Sequence, residues 1–306
     1  MTMQADAGPG ARAGTVEWGT LSLIAGCYGL WGAALVWLVP VSGVVAFVVL
    51  AVLIAFHASL THEVIHGHPF RSRWLNDALM FLPLNLAFPY ERFRDQHLAH
   101  HRDEFLTDPY DDPETNYLDP AVWTGLPLWL RLVYRINNTL AGRMILGPAL
   151  GQVCFLRDEW RLLRAGATGV LRAWVLHLAG AVAVLWIVQA AGVSMWLYLG
   201  AAYAALSLLK IRTFLEHRAH QRARARTVII EDRGPLAFLF LNNNLHVVHH
   251  MHPRVPWHRL PALYAANREK YLSRNDGYRY RSYGEVFARY FLRAKDPVAH
   301  PLWPWK

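Results

Sequence analysis

Sixteen histidines occur in this chain of 306 residues, and most are gathered at a few points. His62 and His66 stand four apart, with Glu63 between them and His68 just beyond. Residues i and i+4 share a helical face, so this pair presents two imidazoles side by side. His97, His100 and His101 follow an H-x-x-H-H spacing that turns three rings to one face, and His246, His249 and His250 repeat it about 150 residues later. Glu216-His217 lies between those two groups. Neutral imidazole ligates iron, zinc, copper or nickel, so ligand type leaves the metal open. Ligand number narrows it. His62, His66, His97, His100, His101, His217, His246, His249 and His250 are nine candidates, too many for one four-coordinate zinc. Two metals sharing them is the economical reading.

The remaining polar residues are weighed against that centre. His57, His177, His258 and His300 are single rings and are read as satisfied polar groups, while His68, His220 and His252 flank the groups without filling a repeated position. The acidic segment Asp103 to Asp119 contains Asp108, Asp111, Asp112 and Glu114. Metal-bound histidines donate their other ring N–H to carboxylates, and Asp108 is expected to serve as such a partner. His62-Glu63-x-x-His66 also matches a zinc-protease signature, in which Glu activates water. A protease needs only one further ligand and leaves both H-x-x-H-H groups without a role. A metal transporter would hold its ligands in broken helices near the bilayer midplane. Here they follow the ends of apolar stretches.

Those stretches are the elements that must position the rings. The chain is 54% apolar and 17% charged, which calls for both a membrane part and an aqueous part. About 20 apolar residues cross the hydrocarbon core. Leu21 to Val39 and Val41 to Leu60 qualify, broken by Pro40 and Ser42-Gly43, and a second pair runs from Ala173 to Val193 and from Trp196 to Leu215. Neither connecting turn contains Lys or Arg, so the positive-inside rule places the termini, the middle segment and the histidines in the cytoplasm. That distribution assigns the +9 net charge to the membrane's cytoplasmic face and not to nucleic acid. Trp74 to Tyr90, interrupted by Pro83 and Pro89, and the Trp, Leu and Arg mixture of residues 121–165 are read as interfacial. Cys27 and Cys154 form neither a disulfide framework nor a C-x-x-C site. The first 20 residues lack the apolar core of a signal peptide, so the first apolar run is expected to remain as a span.

The three boxes His62 to His66, His97 to His101 and His246 to His250, set among two apolar hairpins, resemble the membrane fatty acid desaturase and hydroxylase superfamily. The resemblance covers essentially the whole chain. It implies a non-haem di-iron centre, O2 as co-substrate and an external electron donor. Glu216-His217 resembles an extra ligand site of the alkane-hydroxylase branch, and Asn242 resembles an Asn that holds an iron-bound water in the acyl-CoA desaturase branch. The first box departs from many acyl-CoA desaturases in having three residues between its histidines, where they have four. Asn242-Asn243-Asn244-Leu245-His246, followed by Pro253 to Pro261, is closer to bacterial desaturase-like proteins.

The expected fold is an all-α integral membrane domain: a tail (1–20), a first hairpin (21–60), a cytoplasmic and interfacial region (61–172), a second hairpin (173–215) and a cytoplasmic cap (216–306). The expected location is the inner membrane, crossed several times. The expected reaction is desaturation of a fatty acyl lipid. Hydroxylation of an alkyl, lipid or carotenoid substrate and desaturation of a small amino-acid-derived metabolite are the alternatives. With no cysteine cluster for a fused redox domain, a separate acidic donor of ferredoxin, rubredoxin or cytochrome b5 type is expected on the Arg-rich face.

Overall fold

The structure, a computed structural model, describes residues 16–101 and 104–304; most of the expected N-terminal tail lies outside them. Three helical stretches are long and apolar enough to cross a membrane: Trp18–Leu38, Gly43–Ile65 and Thr168–Ala190. The first is α1 (Trp18–Ala33) followed by a π-helical turn (Ala34–Leu38), and the second is α2 (Gly43–Ile65). The side chain of Ser42 accepts a hydrogen bond from the Val45 amide and so caps the start of α2. That helix continues past the apolar run expected to end at Leu60, because nothing in Thr61 to Ile65 breaks it. His62 is consequently carried on that apolar helix itself, and His66 is its C-cap.

The third stretch is α8 (Thr168–Ala190), and Gly192 at φ +70° makes the turn into α9 (Met195–Thr213). Helix α9 corresponds to the fourth expected span. It holds Lys210 and Arg212 in its last turn and stands outside the three most apolar stretches. Its main neighbours are α2 and α7 (Leu140–Arg164), with α8 a lesser one. Small buried residues permit this: Ala51 and Ala55 on α2 share one core cluster with Ala201, Ala202 and Ala205 on α9. A Cβ on Gly200 would lie 3.2 Å from the Phe47 ring, so α2 and α9 approach closely there and a larger residue would need the ring to shift.

The expected interfacial stretch before Tyr90 forms one short helix, α3 (Arg73–Leu79), and then a non-helical run through Pro83 and Pro89 into α4 (Tyr90–His100). Helix α8 approaches that run closely: a Cβ on Gly180 would lie 2.2 Å from the Phe81 carbonyl oxygen. Residues 120–164 form α5 (Pro120–Gly125), the amphipathic α6 (Leu128–Asn137) and α7. Leu128, Trp129, Leu132, Val153 and Trp160 leave an apolar side of α6 and α7 uncovered. Val44, Val48 and Val52 on α2, and Val175, Val182 and Trp186 on α8, do the same. Exposed apolar surface of that extent suits lipid contact.

After α9 the chain builds a cap of short elements: α10 (Pro235–Leu239), α11 (His246–Met251), α12 (Leu260–Ala266), α13 (Arg268–Arg274) and α14 (Tyr283–Tyr290). Strands β1 (Ile229–Ile230) and β2 (Arg279–Tyr280) pair in parallel. Buried amides hold it together. Asn244 Nδ2 donates to the Ile230 carbonyl at 2.6 Å, and Asn275 Nδ2 donates to the carbonyls of Thr227 and Tyr278.

Candidate metal centre

The second box lies on α4 and the third on α11. Both helices are short and carry H-x-x-H-H, and the end of α2 and the turn after α9 supply the other rings. All nine predicted histidines meet, and they divide into two groups. His62, His66, His97, His101 and His249 form one, and His100, His217, His246 and His250 form the other. Within each group one nitrogen per ring lies within 4.8 Å of every other. In the first, His66 Nε2 is 3.1 Å from His97 Nε2, which is 2.9 Å from His101 Nε2, itself 3.1 Å from His249 Nε2. In the second, His217 Nε2 is 2.8 Å from His100 Nε2 and 3.2 Å from His246 Nε2. The groups adjoin, since the rings of His101 and His250 stack with centroids 4.3 Å apart.

Helical spacing explains the partition. On α4, His97 and His101 are i and i+4 and face the first group, whereas His100 is turned by one residue toward the second. The i and i+4 pair of α11, His246 and His250, both face the second group, and His249 crosses to the first. The two H-x-x-H-H motifs therefore contribute in opposite senses.

Several far nitrogens are anchored. His97 Nδ1 lies 2.9 Å from Glu114 Oε1, His100 Nδ1 2.7 Å from Asp112 Oδ1 and His246 Nδ1 2.9 Å from Asn243 Oδ1. Each of these oxygens accepts from the ring Nδ1–H, which turns Nε2 inward and, in a neutral ring, leaves its lone pair facing the other nitrogens of the group. Thr227 Oγ1 stands 3.4 Å from His217 Nδ1. Asp112 also accepts from the Thr107 amide at 2.8 Å, so the loop that orients His100 is itself held.

Burial pushes His66, His217, His246 and His249 well below the ordinary imidazole range, and neighbouring rings add to the effect. These rings are neutral at neutral pH, the form that binds metal. His100 differs. Burial acts to lower it, but Glu114 and Asp112 outweigh that and push it up to about 9. Glu114 is held well below the carboxylate range by His100 and His97, against the opposing effect of burial.

Two predicted partners sit elsewhere. Asp108 accepts from the amides of Tyr110 and Asp111 at 2.8 and 3.0 Å, closing an Asx turn, and the carboxylates bonded to box histidines are those of Asp112 and Glu114. Asn242 has φ +57° and donates to the Trp257 carbonyl at 3.1 Å, while its neighbour Asn243 meets His246. Asn242 and Asn243 stand four and three residues before His246, so helical spacing does not separate them; the left-handed backbone at Leu241 and Asn242 does, and the sequence carries no signal for it. The acidic segment had no signal either, because a loop without a helical period does not reveal which carboxylate turns inward.

Among the other histidines, His57 meets Tyr28 Oη at 2.9 Å, His177 the Leu86 carbonyl at 3.3 Å and His300 Thr107 Oγ1 at 3.2 Å. His220 pairs with Asp276 near the surface, and His252 packs edge-on against Tyr271. Glu63 does not join the group of His62 and His66. Its Oε1 accepts from the Trp257 amide at 2.8 Å and lies 3.9 Å from His68 Nε2. The zinc-protease reading needs that carboxylate on a water at the metal, and five rings already crowd the group.

The donor set suits a pair of first-row transition ions with imidazole ligands: nine nitrogens, no thiolate, and a buried His62 Nε2 without a hydrogen-bond partner inside the first group. Residues 35–282 match the family model described as fatty acid desaturase. No curated protein matches the chain.

Proposed function

The chain belongs to the fatty acid desaturase family, and from that premise we propose that it is an O2-dependent membrane oxidoreductase that holds two irons and desaturates an unactivated carbon–carbon bond of a fatty acyl lipid. The observation that carries this reading is the division of nine inward-facing imidazoles into two adjoining groups. One iron would sit among His62, His66, His97, His101 and His249, and the other among His100, His217, His246 and His250. Bound iron would supply the activation of O2 and the removal of hydrogen from carbon. Two hydrogen atoms from the substrate, together with two electrons from a donor and two further protons, reduce O2 to two waters.

The protein's part is to position and to exclude water. Asp112, Glu114 and Asn243 hold their rings in one orientation with Nε2 turned inward, so metal entry requires no reorientation, only the loss of the Nε2 proton from His100. Neither Asp108 nor Asn242 carries this role in the proposal. The apolar surfaces of α2 and α8 favour a substrate that arrives through the bilayer.

The reading places α1 with its π turn, α2, α8 and α9 across the inner membrane, with the termini and the metal centre on the cytoplasmic side. Residues 216–306 contain 16 Lys and Arg against 7 Asp and Glu, so the whole +9 net charge belongs to the cap. That balance supports cytoplasmic placement and an acidic donor of ferredoxin, rubredoxin or cytochrome b5 type, since opposite charge speeds encounter.

Mass spectrometry of lipids from cells expressing the wild type and the His249→Ala variant tests the reaction. A lipid lacking two hydrogens, present only with the wild type, is expected. A product with one added oxygen would establish a hydroxylase, and an unchanged lipid profile with a desaturated small metabolite would move the substrate class. Cysteines placed at Ser42 and Ser194 are expected to react with an impermeant thiol reagent from outside; reaction only after permeabilisation would reverse the topology.

A further inference from the structure

Behind the first histidine group, a separate set of metal-competent side chains converges from three points of the chain. Glu17 immediately precedes α1, Glu63 is on α2, and His68 follows α2 by three residues. One ligand atom from each lies within 4.8 Å of the other two. Glu17 Oε2 is 3.0 Å from His68 Nδ1, and Glu63 Oε1 is 3.9 Å from His68 Nε2. The His68 side chain is only 9% exposed and that of Glu63 6%. His68 Nε2 is buried and finds no hydrogen-bond partner, although the Arg254 carbonyl approaches the same ring.

Two carboxylates drawn out of water are costly unless cations compensate them. Among the described residues no Lys or Arg pairs with Glu17 or Glu63; the ion-pair partner of both is the His68 imidazole. Two oxygens and one imidazole nitrogen suit a borderline ion of the zinc type and offer nothing to a thiophilic one.

We propose that Glu17, Glu63 and His68 bind a divalent transition ion, zinc or one of similar preference, distinct from the metals of the nine histidines. This ion ties the start of α1 to the end of α2. The same junction already carries the bond from the Glu17 amide to the Pro69 carbonyl at 3.1 Å and that from the Trp257 amide to Glu63. Because Glu63 sits between His62 and His66 in the sequence, the ion acts as a clasp on the backbone that presents those two ligands.

The test compares the full-length wild type with Glu17→Gln, each incubated with zinc in detergent, freed of excess and assayed for iron and zinc separately. The wild type is expected to retain about one zinc beyond its iron, and Glu17→Gln to lose that zinc while keeping its iron. Equal zinc in both proteins, or none in the wild type, overturns the proposal. Zinc-edge X-ray absorption of the wild type decides independently of whether the variant folds. A shell of oxygens with a single imidazole is expected, and a shell of several imidazoles would place the zinc among the nine histidines instead. Iron is counted apart from zinc, so failure of this site is distinguishable from failure of the iron centre.

Discussion

The two histidine groups are alike in chemistry and unlike in construction. In the first, four of five rings ride on α2 and α4 or cap those helices, and one far nitrogen is anchored by a carboxylate, that of Glu114 on His97. The second draws on α4, on the turn after α9 and on α11, and three of its four rings have a neighbouring oxygen at the far nitrogen, from Asp112, Asn243 and Thr227. Where helix geometry sets ring direction, few further contacts are required. Where the carriers are turns and short elements, side-chain contacts replace it. The first group should therefore tolerate loss of an anchor better than the second.

The largest effects are expected from ligand deletions, one per group. His249→Ala and His246→Ala should each reduce product formation to background, and each should release about half of the bound iron, read by elemental analysis. Retention of full activity in both would contradict the assignment. Anchors come next. Asp112→Ala and Asn243→Ala should weaken iron binding about 10- to 100-fold in a chelator competition, and Glu114→Ala should lie at or below the bottom of that range. A larger loss for Glu114→Ala would invert the comparison. Asp108→Ala should fall well short of Asp112→Ala in the same assay.

Acid should act through the buried neutral rings. His66, His217, His246 and His249 have lowered proton affinity in the folded chain, so below the ordinary imidazole value of about 6.5 the unfolded chain binds more protons. The stability they contribute is fully present above that pH and is lost as the pH falls toward their lowered values. His100 works oppositely: its contribution is present below about 6.5 and is lost as the pH rises through about 9. Four lowered rings outweigh one raised ring, so the metal-free protein should melt at lower temperature at pH 5.5 than at pH 7.5, and the shift should widen when iron is bound, because the metal then also keeps His100 unprotonated in the folded chain. The smallest effect is expected from Asn242→Ala, about 1 kcal/mol of stability from the left-handed backbone and the lost Trp257 contact, with iron content unchanged.

Periodicity made much of this legible beforehand. The i, i+3 and i+4 spacings of His97 to His101 and His246 to His250 identify ligands because a helix converts spacing into direction. The same logic locates the apolar stretches, although α2 continues to Ile65, past the run expected to end at Leu60, and thereby carries His62. What was hidden depends on turns. The Asx turn that takes Asp108 away from the rings and turns Asp112 toward them has no repeat to reveal it. The positive φ at Leu241 and Asn242 assigns three adjacent asparagines three separate tasks. The packing of α9 against α2 in preference to α8 follows from small residues facing each other across the chain, which no single stretch displays.

Iron counted per chain in protein purified anaerobically in detergent tests the two-group centre most directly. About two irons in the wild type, falling to about one in both His249→Ala and His246→Ala, is the predicted result. One ion per chain in the wild type, or stoichiometric zinc held by His62 and His66 with peptide hydrolysis, would contradict it.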